Sequence, residues 1–274
     1  MKSRLLVAAV GVPVVFILLA LLPPWGTTLF CAAISVIAAT EMLNTAELGR
    51  SAVMTVLSAA SAVWVTLCFH FGWSAVAVAA GILVYFLLLA AVGVAYYEKG
   101  RGFGPGQTGA ALMAGAVVPL CFAALICLRR GENGVYAVLT PFVVAFIGDA
   151  GALFTGMACG KHKLAPRTSP KKTVEGAIGG LLCSVVFTII YGIILRFAFK
   201  AEVSFGILCA WSAVGGVVSQ LGDLFFSLFK RESGIKDYGT LLSGHGGILD
   251  RFDSMATLAP VLALLFSLIS PFGA

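Results

Sequence analysis

Charged residues are scarce in this sequence: Asp, Glu, Lys and Arg make up 11% of its 274 residues. A soluble domain of this length carries more polar surface than that, and a disordered chain far more. Low-complexity tracts and internal repeats are lacking too, which excludes solenoids and repeat arrays. The 7 cysteines, at positions 31, 68, 121, 127, 159, 183 and 209, form no CxxC pair and no Cys/His metal spacing. Most lie within apolar runs and read as small buried side chains, not zinc ligands. Strand-length alternation of apolar and polar residues is also missing, which excludes a transmembrane β-barrel.

What the chain has instead is apolar sequence. It is 60% hydrophobic, with a mean hydropathy of +1.03. Stretches near the ~20 residues that a helix needs to cross a bilayer recur along its whole length. Nine spans are predicted, at roughly 5–22, 27–43, 52–70, 75–97, 108–128, 135–158, 174–199, 203–227 and 247–269, with edges good to ~4 residues. The fold class is therefore all-α, a polytopic integral membrane bundle of about nine helices. The first span does not read as a cleavable signal, because Pro23-Pro24-Trp25 follows it where small residues would stand. Prolines 13, 119, 141 and 260 fall inside spans and read as kinks.

Orientation follows from the basic residues. With the N-terminus in the cytoplasm, the outer loops carry only Arg129, Arg130 and Lys200, and almost all other loop Lys and Arg fall inside. The net charge of +6 is thereby explained by topology and anionic lipid, and no nucleic acid is called for. Residues 1–134, spans 1–5, read as a scaffold. Residues 135–274, spans 6–9, gather the polar residues and read as the catalytic part of one integrated membrane domain. The loops 159–173 and 228–246 are the longest inner ones, and both are basic, so a site is expected at the cytoplasmic side.

Charges at bilayer depth are costly and usually functional. Asp250 and Asp253 are three apart and project from one helical face, a hard-oxygen pair suited to Mg²⁺ or, equally, to salt bridges with Arg251, Lys230 or Arg231. Asp223, Ser227 and Lys230 fall at i, i+4 and i+7 and line one stripe of a helix. The block Lys161 to Glu175, with Lys163, Ser169, Lys171, Lys172 and Thr173, clusters cations at the start of a span. Ser169-Pro170 and Thr173 compete as its cap, and the block suits a phosphate or a lipid headgroup. Asp149, beside Gly151, either contacts a polar ligand group or marks close helix packing. Glu41 reads as a helix cap or interhelical contact. His245, among glycines, is a base, a phosphate contact or a turn residue.

The segment Ser227 to Asp253 resembles the signature of the bacterial phosphatidate cytidylyltransferase (CDP-diacylglycerol synthase) family, S-x-hydrophobic-K-R-x4-K-D-x-small-x2-hydrophobic-P-x-H-G-G-hydrophobic-x-D-R-hydrophobic-D. Every specified position fits except Ser243, which stands where the family has proline. Asp149-Ala-Gly-Ala-Leu-Phe-Thr-Gly, Lys161-His162-Lys163-Leu-Ala-Pro, Ser169-Pro-Lys-Lys-Thr-Val-Glu-Gly and Gly222-Asp223-Leu resemble further blocks of the same family. The resemblance implies a multi-pass enzyme of the cell (inner) membrane that uses CTP, phosphatidate and Mg²⁺, with a second metal or a monovalent ion as an option and a homodimer as a candidate assembly. It implies a metal centre at Asp223, Asp250 and Asp253. Lys230, Arg231, Lys236, Asp237, His245 and Arg251 complete the catalytic set. Asp149, Lys161, Lys163, Ser169, Lys171, Lys172, Thr173, Glu175, Ser227, Gly246 and Gly247 are then the substrate contacts. An ion-coupled transporter would need an inverted repeat, which is lacking here. A lipid-alcohol kinase would not carry the intact Lys-Arg to Asp-Arg-Phe-Asp string. A CDP-alcohol phosphotransferase would show a D-G-x2-A-R string, which is absent.

Overall fold

The computed structural model describes residues 11, 13–100, 103–131, 133–241 and 246–273. Eight helices long and apolar enough to cross a membrane are present among them: α1 (Pro24–Thr45), α2 (Ala52–Phe71), α3 (Ala75–Glu98), α4 (Pro105–Arg130), α5 (Gly134–Cys159), α6 (Val174–Ala198), α7 (Phe205–Glu232) and α8 (Leu249–Leu268). They coincide with the second to ninth predicted spans. Of the first span, residues 11 and 13–22 are described: 11 and 13–16 are helical, and a π-helical turn, Ile17–Leu21, follows. The protein is thus a multi-pass membrane protein, and α3 shows the membrane logic best. Its mean hydropathy is 2.7, yet only 11% of its most apolar window is buried, so its apolar side chains face outward.

Local chemistry marks the helix ends. Ser51 and Ser74 accept N–H bonds from Met54 and Ala77 as N-caps of α2 and α3. Gly72 closes α2 in the left-handed region at φ +67°. Pro24 and Pro105 occupy the first positions of α1 and α4.

The chain divides into two compact units: Met1–Ile126 with Ser233–Phe252, and Cys127–Glu232 with Asp253–Ala274. In the first unit, α4 contains a π-helical turn, Met113–Val117, just before Pro119. Pro119 has no N–H, and the carbonyl of Gly115 is instead taken by the Ser61 hydroxyl at 2.5 Å. Beside it the Tyr85 hydroxyl donates to the Ala111 carbonyl at 2.6 Å. Phe252 packs edge-on against Phe30 and Phe122.

In the second unit α5 and α6 approach through small residues. A Cβ added at Gly180 would lie 2.7 Å from the Gly148 carbonyl oxygen, and one at Gly148 would lie 2.5 Å from the Ser184 hydroxyl. Ser184 donates to the Val144 carbonyl at 2.9 Å. Gly151, within the run Asp149 to Gly156, packs in the same way, since a Cβ there would lie 2.5 Å from Cys183 Cβ, while Asp149 itself is exposed.

Two expectations are corrected. Residues 159–173 are not a plain loop, since β1 (Lys163–Ala165) and β2 (Ser169–Thr173) pair antiparallel, Lys163 with Thr173 and Ala165 with Ser169. Ser169-Pro170 therefore does not open the helix. Thr173 caps α6, its hydroxyl accepting from Gly176 N–H at 3.1 Å. The eighth span also runs on to Glu232, which places Lys230 and Arg231 on α7 and not in a loop. Its Asp223 to Lys230 stripe continues one helical face, and nothing breaks the helix before Ser233-Gly234.

Candidate active site

In the second unit, α7, β2 and Asp253 of α8 supply the charged core of the site. The Lys172 ammonium pairs with Asp223 Oδ2, and Ser227 donates to Asp223 Oδ1 at 3.3 Å, the i, i+4 contact that the spacing predicts. Lys230, two turns on from Asp223, lies 3.7 Å from Asp253 Oδ2. Ser227, Lys230 and Asp253 are buried, at 7, 8 and 7% exposure. Asp253 Oδ1 accepts the Ser254 N–H at 2.8 Å, and its carboxylate is within electrostatic reach of Asp223 and of the exposed Asp149.

The hairpin is tied to this core at both ends. Arg231 Nε donates to the Thr168 carbonyl at 3.1 Å, near the hairpin tip. At its base Glu175 accepts the backbone N–H groups of Lys161 and His162 at 3.0 and 3.2 Å, and His162 Nδ1 lies 2.6 Å from Glu175 Oε1. Thr173 sits among three glycines. A Cβ at Gly156, Gly160 or Gly176 would approach its hydroxyl oxygen to 3.0, 2.7 and 2.9 Å. Of the remaining predicted substrate contacts in this unit, Lys161, Lys163 and Lys171 are exposed and Ser169 is half-buried.

The first unit contains the other part of the signature. The Tyr238 and Gly247 N–H groups both donate to Asp250 Oδ2, at 2.8 and 2.9 Å. The next two, of Ile248 and Leu249, donate to Glu41 Oε1 and Oε2 at 2.9 and 2.8 Å. Gly246 lies at φ +83°, where a side chain is strained, and a Cβ there would also meet Asp250 Oδ2 at 2.7 Å. So the glycine N–H that the sequence suggests for a phosphate is already given to Asp250. Lys236, Asp237 and Arg251 are exposed. His245 and Ser243 lie outside the described residues.

Sequence reasoning treated Glu41 as incidental and did not connect it with the signature. The one available signal was an acid within an otherwise apolar span. The Thr168 carbonyl, a backbone group, left no signal at all.

A model of the cytidylyltransferase family matches residues 2–269. The chain belongs to the cytidylyltransferase family. It is similar to the phosphatidate cytidylyltransferase of Staphylococcus haemolyticus, 36% identical over 269 residues, 97% of this chain and 98% of that one. It is also similar to that of Staphylococcus aureus strain COL, 34% identical over 97% of this chain and 98% of that one. The protein from Staphylococcus saprophyticus is 42% identical over a shorter stretch, 56% of this chain and 57% of that one. This cytidylyltransferase is therefore an enzyme of the nucleotidyltransferase class.

Its charged core suits that chemistry. Among the described residues no three His, Cys, Asp or Glu side chains converge to form a ready-made metal cage. Mg²⁺ does not need one, because it is commonly held by one or two carboxylates, waters and substrate phosphates. Asp223 and Asp253 are hard oxygen donors of that kind, and each has an ammonium beside it where a cation is welcome. The donor set fits Mg²⁺.

Proposed function

We propose that this cytidylyltransferase transfers CMP from CTP to phosphatidate, releasing pyrophosphate and leaving CDP-diacylglycerol in the cell (inner) membrane. The observation that carries this reading is the pair of carboxylate–ammonium contacts, Lys172 with Asp223 and Lys230 with Asp253, in one unit of a chain that the family model matches over residues 2–269. A phosphate oxygen of phosphatidate attacks the α-phosphorus of CTP. A new P–O bond forms as the α–β bridge breaks, and the leaving pyrophosphate takes the bond's electron pair. The nucleophile is already ionised at neutral pH, so no strong general base is required. The barrier is the approach of two polyanions, and fixed cations lower it.

Lys172 and Lys230 are those cations, each held by its carboxylate before substrate arrives. Arg231 keeps the hairpin in place through Thr168, and Lys171 and Lys163 on the exposed strands offer further charge to phosphate. Asp223 and Asp253 would hold Mg²⁺, which would supply charge neutralisation at the phosphate oxygens. The metal assignment of Asp250 rests on the signature alone. The distribution of loop lysines and arginines supports a site on the cytoplasmic face, the side that holds CTP.

The test is direct. Protein purified in detergent, given phosphatidate, labelled CTP and Mg²⁺, forms CDP-diacylglycerol and pyrophosphate in equal amounts, and EDTA stops both. Absence of lipid-linked CMP under those conditions overturns the proposal.

A further inference from the structure

Glu41 lies at the end of α1, at 5% exposure, 207 residues from Ile248 in sequence. Its two carboxylate oxygens accept one backbone N–H each, from Ile248 and from Leu249. Two glycines make room for it. A Cβ at Gly239 would stand 2.6 Å from Oε1, and one at Gly247 would intrude on the same carboxylate. Asp250 takes the N–H just before, at Gly247, and reaches back to Tyr238. Three successive N–H groups at the start of α8 are thus shared between a carboxylate from within the helix and one from α1.

This arrangement does more than cap a helix. An exposed Ser, Thr or Asp at the N-cap position satisfies such groups locally. Here the partner is a distant buried acid, and the two glycines that admit it belong to the signature segment. The bonds on Gly247, Ile248 and Leu249 fix the backbone that follows Gly246, and the bond on Tyr238 ties that residue to the same segment. They also fix the position of the Asp250 carboxylate, whose Oδ2 is held by two of them. A buried carboxylate so placed sets geometry at a site it does not touch.

We infer that Glu41 is a positioning residue of the cytidylyl transfer, holding the Gly246–Asp250 segment in its working conformation. The inference rests on the proposed function, because the working conformation matters only if that segment serves the reaction.

The experiment compares wild type with Glu41→Ala, Glu41→Gln and Gly239→Ala, each purified in detergent and normalised to folded, monodisperse protein. Hydrogen–deuterium exchange of peptides covering 246–250 is measured alongside kcat and KM for CTP. Glu41→Ala raises exchange in that segment and lowers kcat by about 100-fold, the scale of a misplacement near 1 Å, with KM changed far less. Glu41→Gln keeps one acceptor oxygen and falls between Ala and wild type. Gly239→Ala keeps the carboxylate but presses on it, and lowers kcat in the same direction. It also covers the case in which Glu41→Ala fails to fold.

A group that served stability alone would lower the melting temperature and leave kcat per folded enzyme unchanged. That outcome overturns the inference, as does unaltered exchange at 246–250. Wild-type protein that transfers no CMP overturns the proposed function and the catalytic role of Glu41 with it. Active wild type with an indifferent Glu41→Ala overturns this inference alone.

Discussion

The Lys230 ammonium stands 3.7 Å from the Asp253 carboxylate, with the two side chains only 10 and 9% exposed. Removing one partner of a buried pair leaves the other uncompensated, at a cost of about 3–5 kcal/mol, whereas replacing both by apolar groups is often neutral. Lys230→Met therefore lowers the melting temperature in detergent and abolishes CMP transfer. The double variant Lys230→Met/Asp253→Leu regains the melting temperature and stays inactive. Recovery of turnover in the double variant would remove this pair from the chemistry.

Asp223 is held by Lys172 and Ser227 on its two oxygens. Treatment with EDTA stops turnover by the wild type, and added Mg²⁺ restores it. Asp223→Asn keeps its fold, since Asn still accepts from Ser227, but requires far more Mg²⁺ for whatever activity remains. A Mg²⁺ titration of initial rate reads this directly. A variant with the wild-type Mg²⁺ dependence would exclude Asp223 as a ligand.

Asp250→Asn separates the two roles open to that residue. The amide oxygen can still accept the Tyr238 and Gly247 N–H groups, so stability falls by only about 1 kcal/mol per bond, the difference between a neutral and a charged acceptor. Turnover falls by about 100-fold or more if the carboxylate charge serves the metal. Near-normal activity would restrict Asp250 to organising the loop.

The orientation read from the basic residues is checked by labelling. In a variant without its 7 native cysteines, Arg167→Cys reacts with a membrane-impermeant maleimide only after permeabilisation. Lys200→Cys reacts in intact cells. The reverse pattern would put the site on the outer face.

The α5–α6 contact gives a prediction about stability alone. Gly180→Ala drives a methyl to 2.7 Å from the Gly148 carbonyl oxygen and 2.9 Å from Ala152 Cβ. Overpacking of this kind costs about 1–3 kcal/mol. The melting temperature drops, and activity follows the folded fraction. Gly206→Ala, with nothing within 4 Å of its added Cβ, is the control.

The spans were legible because an apolar run of membrane length leaves the backbone one way to satisfy itself. The described helices accordingly begin and end within a few residues of the predicted edges, except at the end of α7, where Lys230 and Arg231 resemble a loop by composition. The Asp223–Ser227 contact was legible from its spacing. The hairpin was not, because its short strands hold Pro170 and consecutive lysines and show no clear alternation. Glu41 was visible as an acid in a span, but its partners are backbone N–H groups, which every residue but proline has. No pattern of side chains can announce such a bond.

The Glu41 contact also sets a timetable. At about 5–20 residues per second of synthesis, the 207 positions separating Glu41 from Ile248 take ~10–40 s to appear. Throughout that interval α1 is already in the translocation machinery with a carboxylate whose partners have not been made. Nascent chains halted before residue 248 therefore lack both N–H groups that this acid accepts in the folded protein.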